Sequence, residues 1–342
     1  MRAAVFKGKE NLEVCEVKRP KIGENEVLLK IKAASLCGTD VHIYKGGFPV
    51  KVPLILGHEY AGIIEEVGER VKGFKVGERV CGSPIFPCGE CWFCQHNQMQ
   101  LCERRLSFGV NINGCFAEYM VVPRPEKGLV KIPEEISFEE AALIGDLFST
   151  ANRSLKKAEA KEDDTIAVFG VGPIGLTAIM LFKARGGDRI IAVDVIDYRL
   201  QAAKRLGVSL TINPLRENTI KKIDEFTEDR GADIIIETAC IQKTLNDAMK
   251  SVRRGGTISV AGLFESSPEI NMLKVVLSEI KILGFLCPIG VDRLHYLIKL
   301  LQERKLNLQT LITHRFSLNE VNRAITVFDK KLEESIKVMI LF

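Results

Sequence analysis

The 342-residue chain balances 48 Lys and Arg against 44 Asp and Glu, a net charge of +4, and 46% of it is hydrophobic. That length suits two domains, each with its own core, and so even a balance leaves no electrostatic footprint for nucleic acid or an acidic membrane surface. No apolar run reaches the ~20 residues that span a bilayer, and ten cysteines in a chain of this size, four of them clustered, point to metal binding in a reducing cytosol rather than to a secreted disulfide framework.

The opening run from Met1 to Lys9 alternates like a strand and carries neither the apolar stretch nor the cleavage site of a signal peptide. Leu12–Val17 and Val27–Ala33 read as further strands, separated by Pro20 and Gly23, and the β-rich pattern continues through Ile63–Val67 and Arg79–Cys81 to about residue 130. Ser137-Phe-Glu-Glu140 is a capping-box signature that opens a helix. From Thr165 onward strands and helices alternate. Thr165–Phe169, Arg189–Asp194, Ala232–Glu237 and Gly256–Ala261 are nearly continuous apolar runs, as expected of a parallel sheet covered on both faces. Lys281–Leu286 is a plausible sixth strand, a helix follows from Arg293 to Glu303, and Lys337–Leu341 reads as a last strand returning to the first domain. No internal repeat or low-complexity linker interrupts this order.

Three motifs carry chemistry. The first is Cys37-Gly38-Thr39-Asp40-Val41-His42, followed by Gly57-His58-Glu59-Tyr60-Ala61-Gly62. A thiol, an imidazole and a carboxylate in one short span are what zinc takes when it is catalytic and keeps a position open. His58 and Glu59 are adjacent, so on a regular strand they face opposite sides. Both reach one metal only if the backbone turns there or Glu59 moves between direct and outer contact. Asp40 is an outer acid or simply a turn residue.

The second motif is Cys88-Gly-Glu-Cys91-Trp-Phe-Cys94, with Cys102 eight places further on. Four cysteines in fifteen residues describe a closed tetrahedral thiolate site. Ferredoxin runs close with a three-residue gap and a proline, whereas Glu103 follows here, so zinc is favoured over an iron–sulfur cluster. Cys15, Cys81, Cys115, Cys240 and Cys287 lack metal spacing and read as packing residues.

The third is Gly170-Val-Gly172-Pro173-Ile174-Gly175, placed between a strand and a helix. In that context the glycines let the backbone approach a pyrophosphate at a helix N-terminus. Asp194 ends the next strand; its carboxylate accepts from ribose hydroxyls and repels a 2′-phosphate, which favours NAD over NADP. Arg199, five residues on, leaves some NADP use open.

These residues carry a resemblance. Cys-Gly-Thr-Asp-x-His with Gly-His-Glu-x-x-Gly-x-x-x-x-x-Gly is similar to the zinc-dependent medium-chain alcohol and polyol dehydrogenases, in their sorbitol- and threonine-dehydrogenase-like branch, and the resemblance runs from the first strand to the last. It implies an α/β fold: a doubly wound parallel Rossmann sheet (147–286) plus a β-rich, chaperonin-10-like catalytic domain (1–146 and 287–342). In Leu143-Ile-Gly-Asp146-Leu-Phe-Ser-Thr150 it puts Asp146 where members place Cys, Glu or Asp. An Asp inside an apolar run is also unusual unless paired or metal-bound. The implied catalytic set is Cys37, His58 and Asp146, with Glu59 as a fourth, variable ligand. Cys88, Cys91, Cys94 and Cys102 would hold a structural zinc.

Thr39 and His42 match the family's proton relay, and the relay chemistry suits a hydroxyl and an imidazole. Arg199 matches a position near the adenosine ribose; Val260–Phe264 and Phe285–Gly290 match places where backbone meets the nicotinamide. The family usually has Gly where this chain has Asn97, the next best residue for a left-handed turn. The implied function is hydride transfer between NAD and a secondary hydroxyl of a polyol, sugar derivative or hydroxy acid, in a cytoplasmic homotetramer without nucleic-acid or membrane partners. The rivals are an L-threonine 3-dehydrogenase-like or simple secondary alcohol dehydrogenase, a zinc-free quinone reductase, and a non-enzymatic zinc- and nucleotide-binding protein.

Overall fold

Strand pairing partitions the chain. In the computed structural model, which describes residues 1–303 and 305–342, one unit comprises Met1–Ser149 with Cys287–Phe342, and the other comprises Thr150–Leu286.

In the first unit a three-stranded sheet runs Asn11–Glu16, Arg2–Gly8, Leu54–Ile55. A larger sheet is built on Glu26–Ser35, the longest strand, which pairs antiparallel with Glu59–Val67, Tyr119–Pro123 and Lys337–Leu341. Its burial is nearly unbroken because neighbours cover both faces. The aromatic centre of the core is Tyr60, Phe86 and Phe108, packed edge-to-face with ring centroids 5.5 and 5.6 Å apart. Ser35 sits at a junction of this sheet: it lies opposite Glu59 on one side and Met339 on the other. A residue from the N-terminal third and one from the C-terminal strand are thereby brought to either side of one backbone.

In the second unit six parallel strands run in the order Leu210–Ile212, Ile190–Val193, Ile166–Phe169, Ala232–Glu237, Val252–Val260, Lys281–Gly284. Numbered along the chain this is 3-2-1-4-5-6, the order of dinucleotide-binding sheets, whose crevice opens at the carboxyl ends of strands 1 and 4. Ile166–Phe169, Ile190–Val193 and Ala232–Glu237 are buried throughout, which explains their continuous apolar sequences. The fifth strand starts at Val252, four residues before the apolar run predicts. Its register shifts between Ala232, opposite Val252, and Ile234, opposite Thr257, and that irregularity leaves Gly255 and Gly256 outside the pairing. At the opposite end of this sheet the buried Asp233 accepts from the Thr165 amide, Arg230 and Arg253.

The capping box reads as expected: Ser137 accepts from the Glu140 amide and Glu140 bonds back to the Ser137 amide. Among the described residues no helix is long and apolar enough to cross a membrane.

Candidate active site and metal centres

Cys37 caps the short helix Gly38–Tyr44, and Asp40 is that helix's third residue. The Asp40 carboxylate accepts from the Cys37 amide at 2.9 Å and from the Gly57 amide at 3.2 Å. A fully buried acid therefore clips together the two segments that carry Cys37 and His58. His58 lies just before the strand Glu59–Val67, outside its ladder. Because His58 stands outside the ladder, the alternation of a regular strand does not separate the two side chains, and one ligand atom of each reaches the same cluster.

Asp146 comes from a third segment, the π-helical turn Ile144–Phe148. Its Oδ2 is 3.6 Å from His58 Nε2 and 3.8 Å from Cys37 Sγ. One ligand atom each from Cys37, His58, Glu59 and Asp146 lies within 4.8 Å of the others. Glu59 Oε2 is taken by Lys337 Nζ at 2.6 Å and by the Ser35 hydroxyl at 2.5 Å. Its Oε1 is buried with no partner. A buried carboxylate oxygen left unpaired is costly, and a cation within the cluster would satisfy it. His58 Nδ1 faces Asp40 at 3.4 Å, leaving Nε2 toward Asp146 and Cys37, as in a histidine oriented for metal from behind.

The electrostatics agree with the geometry. Burial works against a charged His58, yet Asp40 and the Cys37 sulfur hold its pKa well above the usual imidazole value. Burial alone would raise the Asp146 carboxyl, but the neighbouring imidazole brings it down to about 2. The cluster stabilises positive charge, and its S, N and O donors suit zinc. Thr39 and His42 stand three places apart on the helix Gly38–Tyr44, both half-buried, with Thr39 Oγ1 3.9 Å from Cys37 Sγ.

Cys88, Cys91, Cys94 and Cys102 form the second group, their sulfurs all within 4.8 Å. Among the described residues these two are the metal-competent clusters of His, Cys, Asp and Glu. Sulfur separations of 3.5 Å (Cys91–Cys94) and 3.9 Å (Cys88–Cys94) fit one tetrahedral ion. Amides of Cys88, Glu90 and Cys91 donate to the sulfurs, and the Glu90 amide leads in lowering the Cys88 thiol to about 6, toward the thiolate a metal requires. Asn97 adopts φ +57°, the left-handed turn that glycine would otherwise supply.

Cys81, Cys115 and Cys240 are buried, and burial pushes Cys81 up to about 12, the behaviour of a packing residue. Cys287 departs from that expectation: it is half-buried, its thiol points at the Gly145 carbonyl at 3.6 Å, and it contacts Asp146. Lys337 and Ser35 escape sequence reasoning as site residues. For Lys337 a signal was present, since a lysine at the head of an apolar strand must be paired if it is buried.

In the second unit Gly172 caps the helix Pro173–Lys183. Gly170 has φ +87°, and a β-carbon on Gly175 would lie 2.1 Å from the Gly170 carbonyl oxygen, so neither tolerates a side chain. Ile174 is in the helix's first turn. Asp194 receives the Val171 amide at 2.8 Å and the Ile196 amide at 2.9 Å, one on each oxygen, which locks it against the turn with lone pairs to spare. The Arg199 guanidinium lies beside the turn, 3.2 Å from where a β-carbon on Gly172 would stand, and its Nε is buried without a partner.

Residues 23–134 match the alcohol dehydrogenase GroES-like domain family and residues 173–303 the zinc-binding dehydrogenase family. The chain is 32% identical to an alcohol dehydrogenase of Cupriavidus necator, over 99% of this chain and 98% of that one. It is 32% identical to the L-threonine 3-dehydrogenase of Escherichia coli K12, over 93% of each. The solved alcohol dehydrogenase from Thermus sp. ATN1 superposes with a TM-score of 0.93 at 33% identity, covering 100% of this chain and 99% of that one.

Proposed function

The chain belongs to the zinc-dependent medium-chain alcohol dehydrogenase family, and on that premise we propose that it oxidises a secondary hydroxyl of a polyol, sugar derivative or hydroxy acid with NAD. The observation that carries this reading is the convergence of Cys37, His58, Glu59 and Asp146, from three separate stretches of chain, with a buried Glu59 oxygen left for a cation. Cys37, His58 and Asp146 would hold zinc, with Glu59 as fourth ligand in the resting state; Cys88, Cys91, Cys94 and Cys102 would hold a second, structural zinc.

Zinc at the first site supplies Lewis acidity that favours the alkoxide form of the substrate. The chain's own residues do the rest. Asp40 faces the His58 ring at Nδ1 from 3.4 Å and ties Cys37 to Gly57. Lys337 and Ser35 hold one Glu59 oxygen and leave the other available. Thr39 takes the proton of the substrate hydroxyl as it gives up its own, and the His42 imidazole passes that proton toward solvent. Gly170, Gly172, Pro173, Ile174 and Gly175 cradle the pyrophosphate; Asp194 binds the adenosine ribose hydroxyls and disfavours a 2′-phosphate; Arg199 neutralises charge beside the turn.

A second reading, L-threonine 3-dehydrogenase-like activity, is favoured by the similarity to the Escherichia coli enzyme of that name. One experiment separates the two: NAD and NADP reduction over a panel of polyols, sugar acids, threonine and simple secondary alcohols, with zinc measured on the same sample. Turnover on polyols or hydroxy acids with about two zinc ions per chain supports the proposal. Turnover confined to threonine replaces it with the second reading, and a fully active protein with one zinc overturns the ligand assignment.

A homotetramer is the proposed assembly. Strand Lys281–Gly284 is the outer strand of its sheet, and Met272, Leu273, Val276 and Leu277 on the adjacent helix are more than half exposed. A monomer in light scattering would refute it. A cytoplasmic location is proposed from ten free cysteines, and cell fractionation tests it.

A further inference from the structure

The residue that presents Asp146 is itself held by a side chain from another part of the chain. Asp146 sits in the middle of a five-residue π turn, Ile144–Phe148. Single π turns are uncommon, and they concentrate at functional sites because they aim side chains that an α-helix would aim elsewhere. Relaxing such a turn to α-helix rotates residues by up to about 100° around the axis, one residue's worth. Something must therefore hold the turn open.

Arg293, in the helix Val291–Gln302, donates to both ends of it. Nη2 donates to the Gly145 carbonyl at 3.3 Å, and Nε donates to the Ser149 hydroxyl at 3.0 Å. Ser149 in turn donates to the Ile144 carbonyl at 2.8 Å, five residues back, which is the span of a π turn. The guanidinium is itself fixed, with Nη2 also on Ser83 Oγ at 3.3 Å and Nη1 on the Gly290 carbonyl at 2.5 Å. The turn is pressed onto the strand Arg79–Gly82 from the other side: a β-carbon on Gly145 would lie 1.9 Å from the Gly82 carbonyl oxygen. The Cys287 thiol reaches the same Gly145 carbonyl at 3.6 Å. A planar fork of rigidly placed donors meets this pattern of four oxygens, and a lysine, with one flexible point charge, does not.

We propose that Arg293 is a positioning residue for the catalytic metal: by bonding Gly145 and Ser149 it keeps the π turn open and so delivers the Asp146 carboxylate to Cys37 and His58. This rests on the assignment of Asp146 as a ligand. Arg293 lies outside every motif that announces the family, and it acts without touching the metal or the substrate.

The test measures zinc affinity of the full-length protein by competition with a chromophoric chelator, alongside the absorption of the cobalt-substituted catalytic site. Removing an outer partner of a metal ligand typically costs ten- to a hundredfold in affinity. Arg293→Met is expected to show such a loss at the catalytic site, with altered cobalt bands, while the four-cysteine zinc is retained. Arg293→Lys should not rescue it. Affinity within twofold of the parent in Arg293→Met, with unchanged cobalt bands, overturns the proposal. Asp146→Asn separates the layers: if it loses zinc while Arg293→Met does not, only the clamp is wrong; if it too keeps parental affinity, the ligand assignment fails and takes the clamp with it. Should Arg293→Met not fold, Ser149→Ala removes one anchor by a much smaller change. It is expected to lose about tenfold, the low end of that range, and parental affinity there overturns the clamp.

Discussion

The two metal-competent clusters of this chain are built on opposite plans. The four-cysteine group draws every donor from Cys88–Cys102, four thiols of one kind, and its geometry is supported by amides of the same loop. The other draws Cys37, His58 and Glu59, and Asp146 from a helix cap, a strand entrance and a π turn, with outer partners as remote as Lys337. A local, uniform site is a staple: it organises a loop too polar to form a core. A dispersed, mixed site depends on the whole unit's fold for its shape, and that dependence lets it keep donors poised around an open position.

If that contrast is right, damage to the two clusters should separate cleanly. Asp146→Ala should abolish turnover and empty the catalytic site of zinc, while far-UV circular dichroism and melting temperature stay near the parent's; a fully active variant breaks the comparison. Cys91→Ser should do the reverse in order, destabilising first. A loss of about 5 kcal/mol, well below what structural zinc contributes to isolated fingers, lowers the melting temperature by about 10–20 °C for a unit of this size. An unchanged melting curve would mean the lobe is no staple.

Lys337→Met sharpens the picture of the dispersed site. It leaves Glu59 buried without its cation, and breaking one side of a buried pair costs about 3–5 kcal/mol. Urea unfolding of the metal-free protein should show that loss, and a change below about 1 kcal/mol would mean Glu59 has another source of compensation.

The smallest effect lies away from both clusters and serves as a control. Burial alone would raise the Asp233 carboxyl, but Arg230, the Thr165 amide and Arg253 hold it at about 2. A carboxyl depressed in the folded state contributes stability above its ordinary pKa, and that contribution is lost as pH falls from about 4 toward 2. With Arg230 half exposed, solvent screening trims the contribution to about 1–2 kcal/mol. Between pH 5 and pH 3 the parent should therefore lose more unfolding free energy than Asp233→Asn; equal losses would remove Asp233 from the account.

Much of the site was legible in sequence because the relevant spacings are local. Cys37 to His42, Gly57 to Glu59, the four-cysteine run and the glycine turn each lie within one supersecondary element, so residue type and separation already constrain what they can do. Asp40 was visible only as an ambiguous acid, since one of its two bonds goes to Gly57, seventeen residues away. Cys287 was misjudged as packing alone, because a lone cysteine carries no spacing and its neighbours Gly145 and Asp146 lie 142 and 141 positions earlier. The fifth strand of the parallel sheet was misplaced at its start, because a bulge at Gly255 has no periodicity to betray it.

The sequence by itself determined the family, the parallel sheet and its dinucleotide turn, and the donors offered to metal, because apolar periodicity and short fixed spacings act through a few residues of backbone. Only the tertiary structure decided that Glu59 shares its carboxylate with Lys337, that the adjacent His58 and Glu59 reach one cluster with Asp146, and that Arg293 braces the turn under Asp146. Those contacts join stretches far apart in the chain and are fixed by sheet register and helix packing rather than by any local pattern.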